Sequence, residues 1–171
     1  MTMSERLEAF IGLQGSIIRK GGKGKHVLVK ASSGSATIFL GAWVTRTGET
    51  AESPEVDLCA LGEHPDGIII GTAYVATDLT KDSDSPYTDG TYLVMYIPEK
   101  GDQIACIAAT NVTITANVEI QVSGGFLIAW PYNVAGGTVQ TETRTGIVGK
   151  LVSAAIAAAA STEKPLFVET Y

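Results

Sequence analysis

Along residues 111–122 apolar and polar positions alternate without a break. Val112, Ile114, Ala116, Val118, Ile120 and Val122 are apolar, while Asn111, Thr113, Thr115, Asn117, Glu119 and Gln121 between them are polar. A period of two places one set on a buried face and the other in water, so the segment reads as β structure. It is long for a single strand, and Ala116-Asn117 is the natural place for a turn that divides it. Shorter apolar runs, each rich in Val, Ile, Thr, Tyr or Phe and bounded by Gly, Pro, Asp or Ser, predict further strands. They lie at His26–Ala31, Ala36–Thr45, Gly67–Thr77, Thr91–Ile97 and Gln103–Ala109. Ser123-Gly124-Gly125 turns the chain into another at Phe126–Trp130, which Pro131 ends. Asn133–Arg144 is polar and Gly-rich and reads as a hairpin or loop; Thr145–Val152 and the closing Leu166-Phe167-Val168 read as strands.

Two segments carry a different period. Thr2 to Glu5 has capping-box spacing, and Leu7, Phe10 and Ile11 fall on one helical face, so a short amphipathic helix or arm is expected at the start. An Ala-rich run at 153–161 fits a short helix, since alanine is the best helix former. The expected organisation is an N-terminal arm or short helix over residues 1–20 and a single β-rich domain over 21–171. The expected fold class is all-β, a compact β-barrel or β-sandwich. Two acidic intervals, Gly48–Asp66 and Asp78–Asp89, read as exposed loops, because carboxylates this dense repel one another and need water.

Composition narrows the function more by exclusion than by assertion. The chain of 171 residues is 45% hydrophobic and 18% charged, long enough to bury a core without disulfide or metal. A net charge of −6 argues against a general nucleic-acid binder, which needs Lys and Arg to displace counterions. The basic residues concentrate at 19–26, RKGGKGKH, where three glycines forbid regular structure. No run approaches a membrane span, and the acidic start without an apolar core does not read as a signal peptide. Cys59 and Cys106 could be bridged, but the favoured expectation is two buried free thiols.

The search for chemistry finds little. His26 and His64 are the only histidines, both in polar, turn-like surroundings that suit solvated side chains, so a nucleophile–histidine site has no evident members. No pair has metal-ligand spacing, and Asp82-Ser83-Asp84 departs from a calcium loop at Pro86 and Tyr87. The glycine-lysine stretch at 21–25 lacks the P-loop spacing. No catalytic residue, cofactor or metal is therefore expected. Candidate partner contacts are Leu7, Phe10, Ile11, Leu13, Ile17 and Ile18 in the N-terminal segment. Trp130 and Tyr132 at a strand end are further candidates, for an exposed contact.

The second part of the chain resembles a known family. Gly67–Ala73 (GIIIGTA), Gly101–Cys106 (GDQIAC), Ile114–Val118 (ITANV), Ser123–Phe126 (SGGF) and Thr145–Lys150 (TGIVGK) follow one another before an Ala-rich stretch and a closing strand. This order resembles the small β-barrel decoration, or head auxiliary, proteins of tailed viruses and prophages. The resemblance covers residues 67–171 and departs at Ala116-Asn117-Val118, where that family more often has Ala-Gly-Asp. It implies a non-enzymatic virion protein, made in the host cytoplasm, that binds the major capsid protein and reinforces an assembled lattice as a homotrimer. The alternative is a carbohydrate- or receptor-binding β-module of a viral particle, using Trp130 and Tyr132. Neither reading needs nucleic acid or a membrane as partner.

Overall fold

The computed structural model describes residues 17–19, 24–32, 37–49, 53–72, 81, 84–109, 112–115, 117–130, 132–133, 139–140, 145–152 and 165–171. Among them the chain is all-β, with a closed barrel followed by a larger curled sheet. The predicted N-terminal helix, with Leu7, Phe10, Ile11 and Leu13, and the Ala-rich run at 153–161 lie outside the described residues.

Strands β2 (Lys25–Ala31), β3 (Trp43–Glu49), β4 (Pro54–Leu58), β5 (Gly67–Thr72) and β6 (Tyr92–Ile97) close the barrel in the order β2-β4-β3-β5-β6. Alternation decides what faces inward. Val29, Ala31, Val44, Val56, Ile69, Leu93 and Met95 are all fully or almost fully buried and form the barrel core together with Ile38, Leu40 and Tyr87. Strands β2 and β4 run parallel, pairing Lys30 with Glu55 and Ala31 with Val56, and every other barrel pair is antiparallel. Strand β4 lies inside the interval 48–66, where an exposed loop was expected. The segment Pro-Glu-Val-Asp-Leu carries its own alternation: Val56 and Leu58 join the barrel core and Glu55 and Asp57 stay outside. A strand with one wet face tolerates carboxylates at every second position, and Pro54 stands at its first residue, where no ladder donor is lost from the interior. The expected strand at 36–45 also begins later, at Trp43; residues 37–42 form turns whose Ile38, Phe39 and Leu40 are buried without belonging to a ladder.

The second sheet has six strands in the order β1-β7-β13-β12-β8-β9. They are β1 (Ile17–Arg19), β7 (Gln103–Ile107), β8 (Glu119–Ser123), β9 (Phe126–Ala129), β12 (Ile147–Leu151) and β13 (Pro165–Thr170). A two-stranded ladder of β10 (Tyr132–Asn133) and β11 (Val139–Gln140) stands apart, in the stretch expected to be a hairpin or loop. The large sheet curls so that its edge strand β9 reaches the end of β7: Ala108 bridges Leu127 in parallel, and the Ala109 amide donates to the Leu127 carbonyl at 2.8 Å. In the alternating segment, β8 takes the second half. Asn117, with φ of 60°, turns the chain where a division was expected, and the left-handed region is one that Asn tolerates better than most residues.

A second core lies between barrel and sheet. Trp43, Ile68 and Tyr96 point outward from the barrel and Cys59 follows β4; they pack with Ile104, Cys106, Ile120, Val122, Leu127, Leu151, Leu166 and Val168. The Gly124-Gly125 turn between β8 and β9 seals the junction. Trp43 N–H donates to the Gly125 carbonyl at 3.0 Å and Gly125 N–H to the Cys59 carbonyl at 3.1 Å. Both glycines have positive φ, as a two-residue hairpin of this hand requires. A Cβ on Gly125 would also lie 2.7 Å from Leu58 Cδ2.

Candidate functional site

Three features of the described surface and interior have chemical or binding content, and all depend on how the barrel meets the sheet. The first is a buried brace. Asp102 lies in the turn between β6 and β7 and is completely inaccessible to solvent. Its Oδ2 accepts from the Tyr96 hydroxyl at 2.6 Å and from the Glu99 amide at 2.9 Å. Its backbone carbonyl accepts from the Thr170 amide at 2.9 Å, and Gly101 N–H donates to the Thr170 carbonyl at 2.9 Å. One turn therefore ties the last barrel strand to β13 of the sheet. The Tyr96 phenol is held well above its ordinary pKa, first by burial, then by donating to Asp102 and by the charges of Asp102 and Glu99. Gly24 lies against this ring so closely that a Cβ there would overlap the Tyr96 hydroxyl, and His26 stacks at a tilt on it with centroids 5.1 Å apart. The end of the basic glycine segment thus packs on Tyr96.

The second feature is a shallow cleft of about 340 Å³ at the barrel–sheet junction. Trp43, Ile97, Pro98, Ile147, Val148 and Tyr171 supply its apolar walls, with Arg46, His64 and Asp66 among its polar groups. Asp66 is already engaged: its Oδ2 accepts from the Arg46 amide at 2.8 Å and lies 3.4 Å from Thr45 Oγ1. This carboxylate holds its own loop against β3, which leaves it a positioning role. No group of three or more His, Cys, Asp or Glu side chains capable of holding a metal occurs among the described residues.

Both cysteines are buried free thiols, as expected. Burial pushes Cys59 up to about 12, helped by the nearby charges of Glu63 and Asp66. Burial also pushes Cys106 up to about 12, against an opposing pull from the Trp43 indole beside it. Neither is a thiolate nucleophile at neutral pH. Native protein should therefore leave both unmodified by a chromogenic disulfide reagent, while unfolded protein releases two equivalents of chromophore; rapid labelling of native protein would contradict the buried placement. The pH dependence has a definite sign. Unfolded thiols titrate near 9, so the unfolded chain loses these protons first; stability is full below pH 9 and falls as pH rises towards 12. Urea midpoints measured across that window should fall, and fall less steeply in a Cys59→Ala/Cys106→Ala variant.

The third feature is a face of the barrel that the sheet does not cover. On β2 and β6 the outward cross-strand pairs are His26 with Tyr96, Leu28 with Val94 and Lys30 with Tyr92. Only Tyr96 of these is buried; Leu28 is 46% exposed, the most exposed aliphatic side chain among the large hydrophobics of the described residues. No motif marks this face, because one exposed Leu in a strand looks like any other apolar position until the inward set is known.

Of the partner contacts expected from sequence, Leu7, Phe10, Ile11 and Leu13 lie outside the described residues. Ile17 and Ile18 fall in β1, at the edge of the large sheet and paired with β7. Trp130 directly follows β9 and is half-buried; its indole N–H is buried without a hydrogen-bond partner among the described residues. Tyr132 belongs to β10. His26 and His64 are both exposed. With the fold and these features in hand, comparison with protein-family models finds no match. Comparison with curated proteins likewise finds none.

Proposed function

We propose that this chain is a structural protein that decorates an assembled viral capsid, binding the major capsid protein and stabilising the lattice. The observation that carries the reading is where the family-like segments fall. Gly67–Ala73 contains β5, Gly101–Cys106 is the brace turn running into β7, Ser123–Phe126 is the hairpin that seals the junction, and Thr145–Lys150 opens β12. The segments are therefore joints of one architecture: each makes a strand or turn at which barrel and sheet are held together. A β body whose barrel and sheet are tied to each other at the described turns suits a protein whose work is to stay in place on a lattice. Many copies acting together make weak individual contacts sufficient.

The test is co-sedimentation with emptied shells built from the major capsid protein of the same genome. The protein should pellet with shells, saturate at a fixed ratio to capsid subunits, and raise the temperature at which the shells lose integrity. Deleting residues 1–16, which leaves β1 intact, should weaken pelleting by an order of magnitude or more, roughly 1.4 kcal/mol or above. Protein that stays in the supernatant at every ratio and salt concentration would overturn the reading.

A further inference from the structure

We infer that the chain is a tandem repeat: one five-stranded barrel built twice, the second copy made of β7, β8, β9, β12 and β13. Strand order is the first sign. In the barrel, β2 lies between β4 and β6, and β3 lies between β4 and β5. With β1 set aside, the large sheet repeats this order, β7 lying between β9 and β13 and β8 between β9 and β12. In each set the first and third strands meet in parallel, and the other neighbours are antiparallel.

Individual bonds repeat in step. Ala31 bridges Val56 and Ser32 N–H donates to the Val56 carbonyl at 3.0 Å; Ala108 bridges Leu127 and Ala109 N–H donates to the Leu127 carbonyl at 2.8 Å. Cys59 N–H donates to the Trp43 carbonyl at 3.0 Å, as Trp130 N–H does to that of Glu119 at 2.8 Å. Ile69 N–H donates to the Ala42 carbonyl at 2.9 Å, as Leu151 N–H does to that of Val118 at 3.1 Å. The same correspondence sets Gly67, opposite Val44, on Gly149, opposite Ile120. Each of these glycines lies too close to a carbonyl oxygen for a Cβ to fit, that of Tyr96 in one copy and of Glu169 in the other. Tyr96 and Glu169 are counterparts too, standing opposite His26 and Gln103. Two barrels that shared only a strand order would not share these bonds. Identical residues survive at Ala31 and Ala108, Gly67 and Gly149, and Leu93 and Leu166. The loops differ in length, residues 60–66 answering to 131–148, so no fixed period shows in the sequence.

The copies differ in their outer walls. Trp43, Ile68 and Tyr96, by which the first packs on the second, correspond to Glu119, Lys150 and Glu169. There Lys150 pairs with Glu169 at 3.7 Å, and Gln103 Nε2 donates to Glu169 at 3.1 Å. A stacked unit needs an apolar wall only where another unit follows, and the last one carries a polar wall. The stack therefore ends at two.

A graft in the full chain tests the correspondence. Trp130 and Gly146 stand where Cys59 and His64 stand, so residues 131–145 should be replaceable by a second copy of Ala60-Leu61-Gly62-Glu63. The grafted protein should stay folded, with amide protection kept across β7, β8, β9, β12 and β13 in hydrogen exchange and a Tm within roughly 10 °C of wild type. A control variant carries a Gly/Ser linker of the original length in place of 131–145. A graft that unfolds where the linker variant folds overturns the inference, because the short loop then fails to span the gap. Gly67→Ala and Gly149→Ala supply a second measurement that leaves the segment intact. Both should lower Tm, by amounts within a few degrees of each other. A Gly67→Ala protein as stable as wild type overturns the inference even where the graft folds, and the glycine pair decides the matter where graft and linker variant both unfold.

Discussion

Asp102→Ala is expected to remove about 3 kcal/mol of folding stability and lower Tm by roughly 10 °C. The carboxylate is fully enclosed, and its loss strands the buried Tyr96 hydroxyl and takes an acceptor from the part-buried Glu99 amide. A buried donor without an acceptor costs about 1–3 kcal/mol, because water cannot reach it to compensate. The cost falls on the joint, since the same turn binds β13 through Thr170. Chemical denaturation with far-UV and tryptophan signals checks the size and the place of the effect: Trp43, at the junction, should report loosening before the strands melt. Asp102→Asn keeps one acceptor oxygen and should lose markedly less. Loss of under about 1 kcal/mol in the alanine variant would mean that the brace is not what holds the joint.

Gly149→Ala is the second large effect, expected at about 3 kcal/mol. Gly149 sits where β12 passes between β8 and β13, opposite Ile120 and Thr170, beside a register shift. A Cβ there would stand 2.0 Å from the Glu169 carbonyl oxygen and 2.8 Å from its carbonyl carbon. Backbone cannot swing aside as a side-chain tip can, so the central strand pair must part. Gly62→Ala, at an exposed turn with nothing near its Cβ, is the control: its φ of 86° carries a strain of about 1 kcal/mol and no clash. Equal losses in the two variants would show that backbone freedom, and not close approach, accounts for Gly149.

The contrast between these glycines marks what could be read from the sequence. Strand positions were legible wherever alternation or Gly-bounded apolar runs were clean, as at β2, β6, β7 and β12. Strand β4 was hidden by the charge of Glu55 and Asp57, which resembles loop chemistry until Val56 and Leu58 are seen to share a face. Asp102 was visible only as part of a Gly-Asp turn; that its carboxylate is enclosed depends on Tyr96 and Thr170, which no local window relates to it. The Leu28 face could not be found from pattern at all. Its significance comes from closure of the barrel, which sends Val27 and Val29 inward and leaves Leu28 outside.

The placement of β13 has a consequence for the order in which the molecule can be built. This strand, drawn from residues 165–170, is not at the margin of the large sheet; it lies between β7 and β12 and pairs with both. The barrel, by contrast, is complete once residue 97 has emerged. During synthesis the barrel can close early, while Trp43, Ile68 and Tyr96 on its outer wall wait for a sheet whose interior strand comes only with residues 165–170. Pairings this distant in sequence form slowly, and the uncovered wall is a sticky surface for as long as they take.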